Sequence, residues 1–299
     1  MKNLYIALLI SIIGLTTSYA QQSQDLFHYK VGQLDVYMLS EGQQQGNSSI
    51  LIGATPEMMN GTMPNGTFAN ATNAFLVRDA ERIILIDAGW GKKLFLHLEK
   101  LGITPEDIDV VLITHMHGDH IGGMMLNGQL TFPNAEIYIP EEEYHYWTDD
   151  DKMNAIPENN RKAFKASREV IRAYGDRVKT FQPDNMDNPS EPILPGIIPI
   201  AAYGHTPGHT MYLLTSGQDK LLVWADLTHA MAIQMPYPQI AVTYDINPED
   251  AINSRKKVLE YVTTHKIPVG GMHIAYPGVG QIIKNSGTGY TFIPEKSEK

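Results

Sequence analysis

Residues 113–123 read Ile-Thr-His-Met-His-Gly-Asp-His-Ile-Gly-Gly. Four side chains able to bind a metal, His115, His117, Asp119 and His120, fall within six residues, directly after the apolar run 110–113. Such a run reads as a buried strand, so the chain leaves its core where imidazoles and carboxylates can gather. Period-two alternation sends His115 and His117 to one side. Asp119 and His120 can face a second ion beside the first. Gly118, Gly122 and Gly123 let the backbone bend tightly enough for this. Imidazole and carboxylate suit zinc and similar first-row divalent metals. The segment therefore reads as a metal-binding loop at the end of a buried strand.

The rest of the pattern alternates strand and helix. Strands are expected at 36–39, 74–77, 82–86, 109–114, 136–139, 178–181, 197–202, 211–214, 220–224 and 290–293, from apolar and β-branched content. Helices are expected at 92–101, closed by Gly102, at 141–147, at 157–174, closed by Gly175, and at 249–265 behind Asn247-Pro248. The stretch 42–72, rich in Gly, Asn, Thr and Met, reads as a long loop. Its Asn-x-Ser/Thr sequons at Asn47, Asn60, Asn65 and Asn70 read as turn composition. Glu141, Glu142 and Glu143 open a helix, where the dipole favours negative charge, and Asp149, Asp150 and Asp151 read as a solvated turn. His97 and His265 lie in helical stretches and are read as structural. Closely spaced strand pairs among helices favour an α/β sandwich of mixed sheets over an all-parallel barrel.

Composition narrows the function. With 299 residues and 43% hydrophobic content, the chain can bury a large core. There is no cysteine, which excludes disulfides, thiolate metal sites and a cysteine nucleophile. The net charge of −10 speaks against nucleic acid and anionic membranes as partners. Lys2, the apolar run 4–15 and Ser18-Tyr19-Ala20 form a signal-peptide pattern. Residues 1–20 are therefore expected to be removed, leaving one domain at 21–299 in the periplasm or outside the cell. Neither a phosphate-binding glycine loop nor a Gly-x-Ser-x-Gly elbow occurs.

His-x-His-x-Asp-His at 115–120 resembles the signature of the metallo-β-lactamase-fold hydrolases. Later motifs arrive in that family's order: Asp87-Ala88-Gly89, Gly204-His205-Thr206-Pro207-Gly208-His209-Thr210, Asp226 after Val223-Trp224-Ala225, and His273 before Ile274-Ala275-Tyr276-Pro277-Gly278. Several stretches are most similar to the methyl parathion hydrolase branch, then to the quorum-quenching lactonases. The resemblance implies an αββα sandwich of two mixed β-sheets flanked by helices. It implies two divalent ions, zinc by ligand type. His115, His117 and His205 would hold one, Asp119, His120 and His273 the other, and Asp226 would bridge both. His205 is preferred to His209 because it leads its motif and stands 21 residues before Asp226, as in lactonase-like members. His209 and Asp87 are then expected behind the ligands, Asp87 orienting an imidazole through its other nitrogen or capping the turn at Gly89.

The expected chemistry is hydrolysis without an amino-acid nucleophile, with Asp119 and Asp226 catalytic through the ions. His229, three residues past Asp226, is expected in the loop at the rim of the site. Lactonases carry a tyrosine over the substrate at this offset, and histidine can supply a hydrogen bond or act as acid or base. Trp90, Trp147 and Phe164, with Tyr144 and Tyr146, are candidates for lining a substrate pocket. Aromatics with few cations suit a small, neutral, apolar ester, lactone or phosphotriester. Two other readings stay open. One is a β-lactam-hydrolysing member, although true β-lactamases usually place a cysteine where Asp226 stands. The other is a zinc-binding protein without catalysis. A second copy of the chain, forming a homodimer, is the protein partner considered.

Overall fold

The computed structural model describes residues 25–187 and 192–296. The expected signal peptide at 1–20 lies outside the described residues. Seven strands form the first sheet: β1 (Leu26–Val31), β2 (Leu34–Asn47), β3 (Thr67–Arg78), β4 (Ile83–Ile86), β5 (Val110–Leu112), β6 (Glu136–Pro140) and β7 (Val178–Phe181). They lie side by side in chain order. β1 to β4 pair antiparallel, and β4 to β7 pair parallel. Six strands form the second: β8 (Ile197–Ala201), β9 (Thr210–Ser216), β10 (Asp219–Val223), β11 (Val269–Gly270), β12 (Val279–Lys284) and β13 (Tyr290–Pro294). Chain order again sets the neighbours, and only β10 and β11 are parallel.

Three buried layers follow from the patterning. Leu34, Val36 and Met38 alternate along β2 into the layer between the sheets, where Tyr212, Leu214 and Val223 meet them. On the outer face of the first sheet lie α2 (Leu94–Lys100), α3 (Gly118–Ile121), α4 (Glu141–Thr148), α5 (Asp150–Ala155) and α6 (Lys162–Tyr174). α6 buries Phe164, Ser167, Val170 and Tyr174 along one stripe. The second sheet is backed by α7 (Pro248–His265), which is capped by the Asn247 side chain and buries Val258, Leu259 and Val262. The expected αββα sandwich is the architecture found. Among the described residues, no helix is long and apolar enough to cross a membrane.

The stretch 42–72 is not the loop that its composition suggested. β2 continues through Asn47 and pairs residue by residue with Thr67–Thr72 of β3, from Gly42↔Thr72 to Asn47↔Thr67. α1 (Pro56–Thr62), capped by Thr55, lies within the connection between the two arms. The polar Gln43-Gln44-Gln45 run hides strand periodicity, because this arm projects past the sandwich. A bulge at Ser40/Gly42 marks where it departs. There the buried Glu41 carboxylate accepts the N–H groups of Lys92, Lys93 and Leu94 at the start of α2. The helix expected from 157 starts at Lys162, after a 3-10 turn at Glu158–Asn160. Asp149 caps α5 by accepting the N–H groups of Asp151 and Lys152.

Candidate metal centre

All motif residues emerge at one end of the sandwich. Asp87 follows β4, His115 to His120 follow β5, His205 to His209 precede β9, Asp226 follows β10 and His273 follows β11. The parallel strands point the same way, so their carboxyl ends coincide. The antiparallel β9 delivers its amino end to the same edge. Thr210 N–H donates to the Thr114 carbonyl at 3.0 Å and joins the two halves there. Asp87 (φ 57°) and Ala225 (φ 52°) hold left-handed backbone beside the site. This conformation is uncommon for non-glycine residues and tolerated best by Asp and Asn.

Two sets of donors share Asp226. In the first, His115 Nε2 and His117 Nδ1 are 3.1 Å apart, and His117 Nδ1 and His205 Nε2 are 3.0 Å apart. Asp226 Oδ2 lies 3.3 Å from His205 Nε2 and 3.6 Å from His115 Nε2. In the second, Asp119 lies 3.5 Å from His273 Nε2 and 3.8 Å from His120 Nε2. Asp226 Oδ1 is 3.2 Å from His120 Nε2, and its Oδ2 is 3.0 Å from His273 Nε2. The donor atoms of His115, His117, His205 and Asp226 lie within 4.8 Å of one another, as do those of Asp119, His120 and His273 and those of Asp226, His229 and His273, and each group could hold a metal ion.

The imidazoles are held from behind. His120 Nδ1 meets Asp87 Oδ2 at 2.6 Å, His205 Nδ1 meets Asp245 Oδ1 at 2.9 Å, and His273 Nδ1 meets the Ala71 carbonyl at 2.7 Å. Thr114 Oγ1 donates to Asp87 and so accepts from His115 Nδ1. These acceptors place the ring protons on Nδ1 and leave the Nε2 lone pairs converging. His120 Nε2 and Asp226 Oδ1 are buried without a hydrogen-bond partner. Unpaired buried polar atoms are costly, and a divalent cation between the donors would satisfy both. The residues therefore fit the ions that the motif implied.

Electrostatics agree. Burial opposes the charge on Asp226, but His120, His273 and His115 outweigh it and hold the carboxyl well below its usual range. Burial and neighbouring imidazoles keep His115 and His117 neutral, well below the usual histidine value. At His205 burial disfavours the cation, but Asp226 and Asp245 lift the pKa to about 9. A metal ion would compete with that proton for the same lone pair.

His209 stands beside the cluster with both ring nitrogens engaged: Nδ1 on the Ala202 carbonyl at 2.9 Å, and Nε2 accepting Asp226 N–H at 3.1 Å. Burial, then the neighbouring His205, pushes its pKa down to about 3. His229 lies in the loop after Asp226 and lines the cavity at the site. It is buried among the ligands, with Nε2 3.1 Å from Asp226 Oδ2 and its ring stacked on His273 at 4.6 Å. Gln234 Oε1 accepts the N–H groups of His229 and Ala230, and Asn70 Nδ2 donates to the His229 carbonyl. His97 is buried with Nε2 2.8 Å from the Ser40 carbonyl, away from the cluster.

The donors form the floor of a cavity of about 730 Å³, walled by Trp90, Tyr244, Ile50, Gln44, Asn70 and Thr72 among others. Among the described residues, no lysine or arginine lines it. Trp90, 48% exposed, stands at this wall. Trp147 and Phe164 do not reach the cavity. They pack on each other, 4.8 Å between ring centroids, in the core under α4 and α6, because both lie on the inward stripes of their helices. Trp147 touches the site only from behind, edge-on to His117 at 5.8 Å.

Sequence reasoning missed three groups. Asp245, behind His205, lies 40 residues away with no distinguishing motif. Asn70 was set aside as turn composition, yet its Oδ1 also lies 3.2 Å from His273 Nδ1. Glu143 reads in sequence as one of three acids opening a helix, but its carboxylate is fully buried. Its i,i+4 relation to the apolar Trp147 was the signal available.

The family profile described as the Metallo-beta-lactamase superfamily matches residues 68–265. Among curated proteins, the exodeoxyribonuclease WalJ of Streptococcus pneumoniae is 27% identical over 105 residues, 35% of this chain. The match spans only 38% of that relative's length. The N-acyl homoserine lactonase of Bacillus thuringiensis is 23% identical over 209 residues, covering 68% of this chain and 66% of the lactonase. Among solved structures, the dizinc quorum-quenching lactonase AidC superposes with a TM-score of 0.81 at 27% identity, over 92% of this chain and 99% of AidC. The hydrolase AbOPH superposes with a TM-score of 0.83 at 24% identity, over 93% of this chain and all of AbOPH, a likeness of fold.

Proposed function

The chain belongs to the metallo-β-lactamase superfamily, and from that premise we propose that it is a dinuclear metal-dependent hydrolase of small neutral esters, lactones or phosphotriesters. One observation carries this reading: two donor sets that meet at Asp226 open onto a cavity whose described lining holds no lysine or arginine. A polyanionic substrate, such as the nucleic acid implied by WalJ's name, would call for cations there. Trp90, Tyr244 and Ile50 instead offer apolar surface, and Gln44, Asn70 and Thr72 offer neutral hydrogen-bonding groups. AidC, a lactonase by name, supports the lactone end of the range.

Two divalent ions, zinc by donor chemistry, would when bound lower the pKa of a shared water and polarise the substrate's carbonyl or phosphoryl oxygen. The residues supply the rest. Asp226 is buried and held by imidazoles on both sides, so it keeps the two donor sets in register. Asp87, Asp245 and the Ala71 carbonyl fix ring orientation, which spares reorganisation during reaction. Asp119, the part-exposed carboxylate of the cluster, is placed to take the proton released as water adds to the substrate. His229 faces the same cavity and, with burial and then His273 pushing its pKa to about 4, remains a neutral hydrogen-bonding group. The signal-peptide pattern at residues 1–20 supports export to the periplasm or beyond.

A panel of lactones of varied acyl length, aryl esters, phosphotriesters and a β-lactam tests the reading, with metal-loaded and chelated protein. Turnover of a neutral ester or lactone, abolished by chelation and restored by zinc, is expected. Two bound equivalents of metal with no turnover on any member would overturn the hydrolase reading in favour of metal binding alone.

A further inference from the structure

Glu143 lies in the first turn of α4 with its carboxylate sealed from solvent. Oε2 accepts Met116 N–H at 3.0 Å and Trp147 Nε1–H at 2.6 Å, and Oε1 accepts Gly208 N–H at 2.8 Å. Met116 is the residue between His115 and His117. Gly208 lies between His205 and His209. One carboxylate therefore braces both histidine segments of the first donor set, which are 88 residues apart at their nearest ligands. The Met116 peptide is held on its other side too, where Ser167 Oγ on α6 donates to its carbonyl at 3.2 Å. Gly208 is glycine for a reason visible here: a Cβ would collide with the backbone of Glu143. Trp147, the third donor, lays its ring edge-on to His117.

The second donor set has separate supports. His120 rests on Asp87 and His273 on the Ala71 carbonyl, and neither touches Glu143. Resting on the dinuclear reading above, we propose that Glu143 is a positioning residue for one metal position only. It sets the affinity of the His115/His117/His205 position and leaves the Asp119/His120/His273 position unchanged. The two positions would then load at metal concentrations that α4 controls separately from the rest of the fold.

Glu143→Gln tests this with little change of volume. Three N–H donors converge on two oxygens, and glutamine offers only one. With its oxygen in the Oε2 place, the amide NH₂ confronts Gly208 N–H and frees the His205 segment. With its oxygen in the Oε1 place, the NH₂ confronts Met116 and Trp147 and frees the His117 segment. Either orientation loosens the first set, and losing such a support weakens metal binding about 10- to 100-fold.

The measurement is a cobalt(II) titration of metal-free protein, read by visible absorption and by competition with a chelator. Asp119→Ala, which disables the second position, identifies each step. Wild type should show two equivalents. In E143Q the step that survives Asp119→Ala should weaken 10- to 100-fold with altered cobalt bands, while the other stays within threefold. Trp147→Phe, which keeps a ring against His117 but loses one N–H, should weaken the same step by less, which covers the case of an E143Q chain that fails to fold. Two steps weakened alike, a weakened second step, or no change in either variant overturns the inference alone. A wild-type chain that takes up no metal overturns the dinuclear reading and this inference with it.

Discussion

Asp87→Asn isolates how a residue that touches no ion can govern one. Asp87 has a left-handed backbone, which asparagine tolerates, so the fold at this turn should survive the change. The carboxylate serves three donors: Oδ1 accepts Thr114 N–H at 2.8 Å, and Oδ2 accepts Thr114 Oγ1–H and His120 Nδ1–H, both at 2.6 Å. Asparagine brings one acceptor. If its oxygen serves Oγ1 and His120, its NH₂ faces Thr114 N–H in a buried site. If its oxygen serves Thr114 N–H, its NH₂ faces His120 Nδ1. His120 must then carry its proton on Nε2, the atom that belongs to the donor set. The loss in either case is a hydrogen bond to a charged group, about 1.5–3 kcal/mol. Expressed as metal affinity, that is about 10- to 100-fold at the Asp119/His120/His273 position, with a smaller loss at the first position through Thr114 Oγ1, which joins Asp87 to His115. The assay is zinc competition against a graded chelator series, with circular dichroism to confirm folding. A folded variant whose two affinities both stay within threefold of wild type would refute the reasoning.

Other outcomes follow from the same geometry. Phe164→Ala should cost about 3–5 kcal/mol in urea unfolding, as a core cavity does, while KM of the residual folded enzyme stays unchanged; a selective rise in KM would return Phe164 to the substrate wall. His205→Ala should lose one metal equivalent and nearly all turnover, whereas His209→Ala should keep both equivalents, and the reverse order would mean the motif is misassigned. His229→Ala should retain metal and lower kcat/KM more than tenfold, about 1.4 kcal/mol; unchanged kinetics across the panel would remove it from the reaction. His209 also predicts an acid limb. Its pKa falls from 6.5 to about 3 on folding, so the unfolded chain takes up the proton first. Its contribution to stability is complete above pH 6.5 and falls by about 1.4 kcal/mol per pH unit below that, toward pH 3. Urea midpoints between pH 7 and 5 should fall less steeply in His209→Gln, and equal slopes would count against this account.

The sequence by itself determined the first half of the site. His115, His117, Asp119 and His120 lie within six residues, and at that spacing strand alternation and a tight turn dictate which way each side chain can point. An α/β sandwich of mixed sheets was legible for a similar reason, since apolar periodicity is a local property of the chain, whereas its αββα order came from the family resemblance. Asp226 and His273 were reachable only through resemblance to a family, because no local rule relates them to His115. Only tertiary structure decided the rest. The arm from Gly42 to Thr72 is a ladder between residues up to 30 apart, and its polar glutamines carry no buried stripe to announce a strand. Trp147 and Phe164 read as aromatic and inward-facing, but whether inward meant cavity or core depended on how α4 and α6 pack on the first sheet. Glu143 and Asp245 look like any surface acids in sequence. A buried carboxylate is tolerated only where several donors meet it, and those donors come from segments that only the completed fold brings together.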